Sequence, residues 1–414
     1  MIVGLDIGTC WIRVAIAEID EFGHLRIAGT SCEKSVGLRN GNIVNIEAAS
    51  NAIRNAIESA EQNAGVEVNS CYTIIGGDQI DGMNATGKVQ VSAKGKSHRE
   101  ISEEDIRRVK ESASAVQLAL DREMLHVITQ EYIVDGVNGI KDPMHRLGVC
   151  LEAAIHMITA SRTTIQNMQS CIVRAGYTME GVMLKTLAAT HAVANDDEME
   201  LGSIVVDMGA GTTDILVLLH GAPVCTASIP VGGNHVTNDI AYCLGIPAPE
   251  AEKIKIEAGC CYLENVDKNR TVIINGIGGQ PPREILQSEL CEIINARVEE
   301  IFEMIKQKII TKTKITQISG NIILIGGGAK MEGIVELVQD SFGTYNVRIG
   351  MPENLGGIFE DYNGPDWATV IGLVRASKDN AGKSLKKKTK VVKNTNIKEN
   401  RGENKILNMI RSFF

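Results

Sequence analysis

The sequence has no CxxC pair, no metal-binding histidine pattern, no long apolar run and few prolines, and each shortage removes a class of protein. Its ten cysteines are scattered through 414 residues, with one adjacent pair at Cys260-Cys261, so they do not make a disulfide framework. Such a thiol-rich chain suits a reducing interior. Without paired spacing, a four-ligand zinc site is not expected. His126, His145, His156, His191 and His235 stand outside any HxxH or HExxH pattern and read as core or surface histidines. No stretch reaches the roughly 18 apolar residues that suggest a membrane-spanning helix. The start, Met1-Ile2-Val3-Gly4-Leu5-Asp6, lacks the basic lead and apolar core of a signal peptide, which predicts a cytoplasmic chain. Nine prolines against 41 glycines predict many tight turns between regular elements.

A hydrophobic share of 44% supports large cores and excludes wholesale disorder. The length suggests about two to four domains. Charge is uneven. Residues 377–403 hold eight Lys and one Arg against one Asp and two Glu, and 404–414 add Lys405 and Arg411. The net −9 of the chain therefore resides in a still more acidic body. An acidic body with a basic tail is not a general nucleic-acid binder.

Periodicity predicts strands at Ile2–Asp6, Ile12–Glu18 and Leu25–Thr30, a helix over Glu47–Ala64 stopped by Gly65, and a buried strand over Cys71–Gly76. From about Asp81 the texture changes. An edge strand near Val89-Gln90-Val91 precedes a helix capped by Ser102 that carries Ile106, Val109, Val116 and Leu120. Two β-rich runs follow, Leu125–Val134 and Val149–Thr159. This unit reads as a small inserted domain over 81–161. A Ser-capped helix over Ser161–Ala175 leads to the strand Ser203–Asp207, which opens a second half with the order of the first. A mostly helical stretch over 236–312, with its longest helix near Ile285–Ile310, interrupts that half. The sheet resumes at Asn321–Ile325, and a last helix covers Trp367–Ser377. Residues 378–403 read as a solvated linker and 404–414 as a helix.

Two stretches match in chemistry: Gly4-Leu5-Asp6-Ile7-Gly8-Thr9 and Val205-Val206-Asp207-Met208-Gly209-Ala210-Gly211-Thr212-Thr213-Asp214. Each ends an apolar strand on Asp and follows it with a glycine turn and hydroxyls. Glycine lets a backbone approach a phosphate chain and offer its N–H groups. Asp6 and Asp207 together could hold a hydrated Mg²⁺. A single such turn is often an ordinary hairpin, but two about two hundred residues apart are less easily accidental. A third turn, Gly326-Gly327-Gly328-Ala329-Lys330, follows a strand and is expected to open a helix.

These turns, and their order, resemble the actin/Hsp70/sugar-kinase superfamily and, within it, the FtsA family of bacterial cell-division proteins. The more specific stretches are Leu125-His126-Val127-Ile128-Thr129-Gln130-Glu131-Tyr132, Gly139-Ile140-Lys141-Asp142-Pro143, Pro281-Pro282-Arg283 and Ile293-Ile294-Asn295-Ala296-Arg297-Val298-Glu299-Glu300. The resemblance covers about residues 1–376. It implies an α/β, actin-like duplicated ATPase fold with a nucleotide cleft between two lobes, an inserted α+β subdomain, and a C-terminal amphipathic helix on a flexible linker. The first lobe core would be 1–80 with 162–200 and about 350–377, the insert 81–161, the second lobe core 201–235 with 313–349, and the helical subdomain 236–312.

Carried over residue by residue, the resemblance places ATP with Mg²⁺ in the cleft. Gly8, Thr9 and Cys10 would cradle the phosphates from one side and Gly209, Gly211, Thr212 and Thr213 from the other, with Asp6 and Asp207 on the metal. Gly232, Gly233 and Asn234 would close near the phosphates, Glu252 and Lys255 would line the sugar and base, and Gly326, Gly327, Gly328 and Lys330 would lie under the adenosine. Departures from the family pattern are Trp11, Ala210, Ile325 and Lys185, and fast hydrolysis is not expected to follow from them. Arg283 and Arg297 occupy positions that, in the family, face the C-terminal peptide of FtsZ. Two solvated arginines at a helix edge is the plainer reading of them. The insert would meet later division proteins, and the chain would self-associate into filaments.

In the tail, a helix would align Ile406, Leu407, Ile410, Phe413 and Phe414, bordered by Met409, with Lys405 and Arg411 beside that face. This pattern fits an interfacial helix on anionic lipid, here the inner membrane at the septum. The competing readings are a pilus-assembly relative, a small-molecule kinase using Asp214, or an Hsp70-type chaperone. The last would need a peptide-binding domain for which too few residues remain.

Overall fold

The computed structural model describes residues 1–92, 98–267, 269–275, 281–315 and 320–378. The linker expected over 378–403, apart from its first residue, and the helix expected over 404–414 lie outside the described residues. Two five-stranded sheets built on one plan carry the two halves. In the first, the order is Thr178–Leu184, Ser70–Ile75, Ile2–Ile7, Trp11–Ile19, Leu25–Lys34. In the second it is Ala222–Ile229, Thr213–Leu219, Ser203–Met208, Ile322–Ile325, Val347–Ile349. In each, a central apolar strand turns back into an antiparallel partner and pairs in parallel with a later strand on its other side. The duplication extends to register: Asp6 faces Arg13 across the first hairpin, and Asp207 faces Asp214 across the second.

The period of two in the strands decides how the halves join. Along the second sheet, Val205, Leu216, Leu218, Ile323 and Ile325 point into the core of the first half. Their neighbours Ile204, Val206, Ile215, Val217, Ile322 and Leu324 point into a separate core with the helices of the second half. Two helices fill the joint. Lys185–Val193 follows directly on the strand Thr178–Leu184, and residues 368–378 follow a 3₁₀ turn at Pro365–Trp367. They cross so closely that a side chain on Gly372 would overlap the carbonyl of Ala188.

The insert is a four-stranded sheet, ordered Val137–Ile140, Arg122–Val134, Cys150–Ser161, Ile80–Gln90, under the helix Glu103–Ser114. Ser102 and Asp105 form a reciprocal cap on that helix. The expected edge strand runs the full length Ile80–Gln90 and ends just before the buried Val91. This edge meets the second half. Lys312 pairs with Asp81 at 2.6 Å and donates to the Thr226 carbonyl at 3.1 Å, and Asn84 donates to the Val224 carbonyl at 2.9 Å.

Several expectations need correction. The insert's helix stops at Ser114, so Val116 and Leu120 lie beyond it and are exposed. The Ser114 hydroxyl turns back to the Lys110 carbonyl at 2.7 Å, a competition that weakens serine-rich helix ends. Ser161 sits at a helix N-terminus without a side-chain cap bond. The mostly helical stretch 236–312 also holds a pair of strands. Thr271–Ile274 and Arg283–Leu286 form a hairpin in which Ile285 faces Val272, and the long helix begins at Gln287. Arg283 is therefore a strand residue. The Gly326–Gly328 turn opens a 3₁₀ turn, and the next helix starts at Ile334 behind Gly333. No helix among the described residues is long and apolar enough to cross a membrane.

Two buried histidines tie the insert down. His126 accepts the Leu184 N–H at 2.9 Å, at the start of the Lys185 helix. His156 sits at the seam with the second half, 2.7 Å from Asn84 Oδ1 and 2.9 Å from Thr226 Oγ1. Burial pushes both down, His126 to about 3 and His156 to about 4. The folded state then binds fewer protons than the unfolded chain below the ordinary histidine range. Their contribution to stability is present above about pH 6.5 and is lost as pH falls towards those lower values. We expect the thermal midpoint to drop between pH 7 and 5, and to drop less in His156→Gln. An equal pH dependence in that variant would remove His156 from the account.

Candidate functional site

The two matching turns face one another across a cleft of about 390 Å³ between the halves. Each is closed by the same bond. The Gly8 N–H donates to the Trp11 carbonyl at 3.0 Å, and the Gly209 N–H donates to the Thr212 carbonyl at 3.0 Å. Glycine is required by space here. A Cβ on Gly8 would come within 2.6 Å of the Trp11 carbonyl oxygen, and one on Gly211 within 2.8 Å of Asn40 Cα. The helix Gly233–Leu244 stands behind the second turn, with the Gly233 and Asn234 N–H groups bonded to the Gly209 and Ala210 carbonyls at 2.9 and 2.8 Å. Cys10 and Asn234 reach across the opening, Sγ to Oδ1, at 3.6 Å. Burial raises the Cys10 thiol above its ordinary range.

Gly8, Thr9, Cys10, Asp207, Gly209, Gly211, Thr212, Gly233, Asn234, Glu252, Lys255, Gly326, Gly327, Gly328 and Lys330 all line this cleft, as does Asp6. Thr213 and Gly232, expected with them, do not. Thr213, the first residue of its strand, is fully buried with its hydroxyl on the Val231 carbonyl at 2.8 Å and faces away from the cleft that Thr212 lines. Gly232 lies behind the turn, against the Gly209 and Ala210 backbone, and its N–H is bonded to His235 Nδ1 at 3.1 Å.

Charged pairs line the far wall and the roof. Lys255 Nζ lies 2.7 Å from Glu252 Oε2 and donates to the Gly233 carbonyl at 3.1 Å, while Thr237 bonds the same carboxylate. Opposite, Asp366 takes Arg13 at 2.5 Å and Lys330 at 2.6 Å, so Lys330 is spoken for by an acid beneath it. Arg13, Asp366 and Thr369 were not foreseen in the sequence. Arg13 could have been found as the register partner of Asp6. The other two arrive from more than three hundred residues away and carry no local signal.

The floor is where the metal expectation meets the side chains. Asp6 Oδ2 accepts from Thr369 Oγ1 at 2.8 Å. Asp207 Oδ2 lies 2.9 Å from Lys185 Nζ, and neither Asp207 carboxylate oxygen has appreciable exposed surface. Among the described residues, no three His, Cys, Asp or Glu side chains converge as a metal site. Asp207 thus meets the cleft with the Lys185 ammonium against it rather than as a bare carboxylate beside Asp6. Burial alone would lower the Lys185 amine, but the charges of Asp207, Asp6 and Asp214 outweigh it and hold the group protonated.

Arg283 and Arg297 lie away from the cleft, in the segment between the second-half strands. Arg283 donates to the Leu244 carbonyl. Arg297 is gripped by Asp239 at 2.5 Å and by Glu300, so its single positive charge is fully matched by acids of the same segment.

The chain has close relatives. The family profile described as "Cell division protein FtsA" matches residues 204–372, and that of the "SHS2 domain inserted in FTSA" matches 77–159. The chain is 42% identical over 375 residues to the cell division protein FtsA of Borreliella burgdorferi, covering 90% of each chain. It is 34% identical over 386 residues to that of Escherichia coli K12, covering 92% of this chain and 90% of the relative. Among solved structures, the "PilM-PilN type IV pilus biogenesis complex" is similar with TM-score 0.64 at 15% identity, over 90% of this chain and 97% of that one. MreB5 of Spiroplasma citri bound to ADP is similar with TM-score 0.54 at 14% identity, over 93% and 98%. At such identities these two structures establish the actin-like fold alone.

Asp366 is the side chain that holds the roof to the first hairpin. Asp366→Ala should destabilise the protein by roughly 1–3 kcal/mol, since it strands a buried Arg13 nitrogen. Denaturant unfolding reads this directly, and a loss below a few tenths would show that the array is ornamental.

Proposed function

This chain belongs to the FtsA family of cell-division proteins, and on that footing we propose that it binds ATP in the cleft, polymerises on the cytoplasmic face of the inner membrane and tethers FtsZ filaments there. The observation that carries the nucleotide reading is the pair of register-matched glycine turns facing each other across one cleft, with Cys10 and Asn234 in contact over it. A volume of about 390 Å³ lies within the usual range for a small-molecule site. In this reading the backbone of Thr9-Cys10 and of Ala210-Gly211-Thr212 receives the phosphate chain, and Glu252 and Lys255 meet the sugar and base. Gly326–Gly328 form the surface under the adenosine. Contact with both halves lets the nucleotide favour one relative placement of them, and so assembly.

Attachment to the membrane rests on the tail sequence. Each buried large side chain of 404–414 contributes roughly 1.5–3 kcal/mol, while ordering its backbone costs about 1–2 kcal/mol per residue. A single tail therefore binds weakly, and firm attachment needs several tails on one polymer. The segment 236–312, with Arg283 and Arg297, is the surface assigned to the FtsZ C-terminal peptide, and the insert 81–161 the one assigned to later division proteins. The structural neighbours include a "MamK double helical filament", TM-score 0.51 at 14% identity, which supports no more than the fold on which such assembly is built. Asp214 is poorly suited to be a kinase base. One oxygen takes the Gly77 N–H at 2.8 Å, and the other lies 3.5 Å from the Thr212 hydroxyl.

Two experiments test these assignments. Isothermal titration with ATP should detect binding to the full chain, weakened at least about tenfold in Gly209→Val, whose new side chain crowds the turn. Unchanged affinity in that variant would move the phosphates elsewhere. Flotation with anionic vesicles and ATP should carry up the full chain but not one ending at Ser377. If both stay in solution, the tail is not an anchor.

A further inference from the structure

We propose that Lys185 serves this cleft as a built-in cation for the phosphates of a bound nucleoside triphosphate, so that nucleotide binding does not depend on a divalent metal. The inference rests on the nucleotide reading of the cleft and concerns one residue within it.

Three carboxylates gather at the floor. Asp6 and Asp207 end the central strands of the two halves, and Asp214 is the register partner of Asp207. A phosphate chain laid along the two glycine turns faces these acids directly. Some positive charge must stand between anion and anion, since like charges at contact distance in a poorly hydrated site repel strongly. The chain provides that charge from its own connecting helix. Lys185 is the first residue of the helix Lys185–Val193, placed there by the strand Thr178–Leu184 that precedes it. Its stem passes Gly76, and its Nζ reaches Asp207 at 2.9 Å and the open face of Gly209, where a Cβ would lie 3.6 Å away. Gly209 belongs to the phosphate turn itself. The amine is thus shared between the acid behind it and the space in front of it. The Lys185 side chain keeps 19% exposure against 1% for Asp207, so from the cleft the carboxylate is met through the amine.

A magnesium ion usually keeps several waters and needs oxygen ligands at about 2.0–2.1 Å. Here Asp207 is behind an ammonium and Asp6 is bonded to Thr369. A lysine is a compact point charge with three donors, well suited to phosphate. Its pairing with Asp207 fixes where that charge stands.

The test is isothermal titration of the full chain with ATP, once with excess Mg²⁺ and once with excess EDTA. The native protein should bind under both conditions with affinities within about threefold. Lys185→Gln should lose at least about tenfold in EDTA and recover most of it with Mg²⁺. Because that variant leaves Asp207 buried without its partner, the Lys185→Met/Asp207→Asn double variant, which removes both charges, gives the same comparison in a protein without a stranded acid. Native binding that appears only with Mg²⁺ overturns the inference while leaving the nucleotide site standing. A lysine variant that binds in EDTA as the native chain does also overturns it. No binding under either condition refutes the nucleotide reading itself, and this inference with it.

Discussion

The ion pair between Lys185 and Asp207 is the contact around which both halves are arranged. It joins the first residue of the connecting helix to the end of the second half's central strand, at the joint where the two cores meet. A buried pair of this sort gives little net stability, yet losing one partner leaves an uncompensated charge in the interior. Its value is positional. It fixes the floor of the cleft, and with Asp6 and Asp214 close by it concentrates charge where the two halves meet.

Duplication explains why the site lies there. Each half folds a central strand, a glycine turn closed by one backbone bond and a returning strand, so the same register brings Asp6 opposite Arg13 and Asp207 opposite Asp214. The copies have diverged in the returning strand. Arg13 reaches outward to Asp366 on the roof, whereas Asp214 stays at the floor and holds the Gly77 N–H. One copy thus braces the wall and the other shapes the charge of the base. Membership of a cell-division family and the actin-like architecture fit this two-lobed plan.

Much of this was legible in the sequence, and the reasons are local. Strand alternation, left-handed glycine stops at Gly65 and Gly176, and Asp-ended strands before glycine turns are short-range signals. What escaped was set by distant partners. The hairpin Thr271–Ile274 with Arg283–Leu286 gives no signal of its own within a stretch that reads as mostly helical, and the missing turn beyond Ser114 depends on serine side chains competing for backbone. Thr213 and Thr212 look interchangeable in sequence, but Thr212 lines the cleft just before the strand begins, while Thr213 starts the strand and turns its hydroxyl to Val231. The ammonium beside Asp207 escaped for a related reason, since Lys185 lies twenty-two positions before Asp207 and nothing local places them in contact.

The helix 368–378 has a mechanical consequence. It is the last described element before the chain runs on to residue 414, and its Gly372 is pressed against the Ala188 carbonyl of the connecting helix. Its opening turns carry Asp366 and Thr369, which hold Lys330 and Asp6 at opposite sides of the cleft. Any pull exerted through the tail enters the molecule along this helix. It is felt first at the crossing of the two central helices and then at the two side chains that grip the cleft. A force applied to the end of this helix would reach the cleft through Thr369 and Asp366.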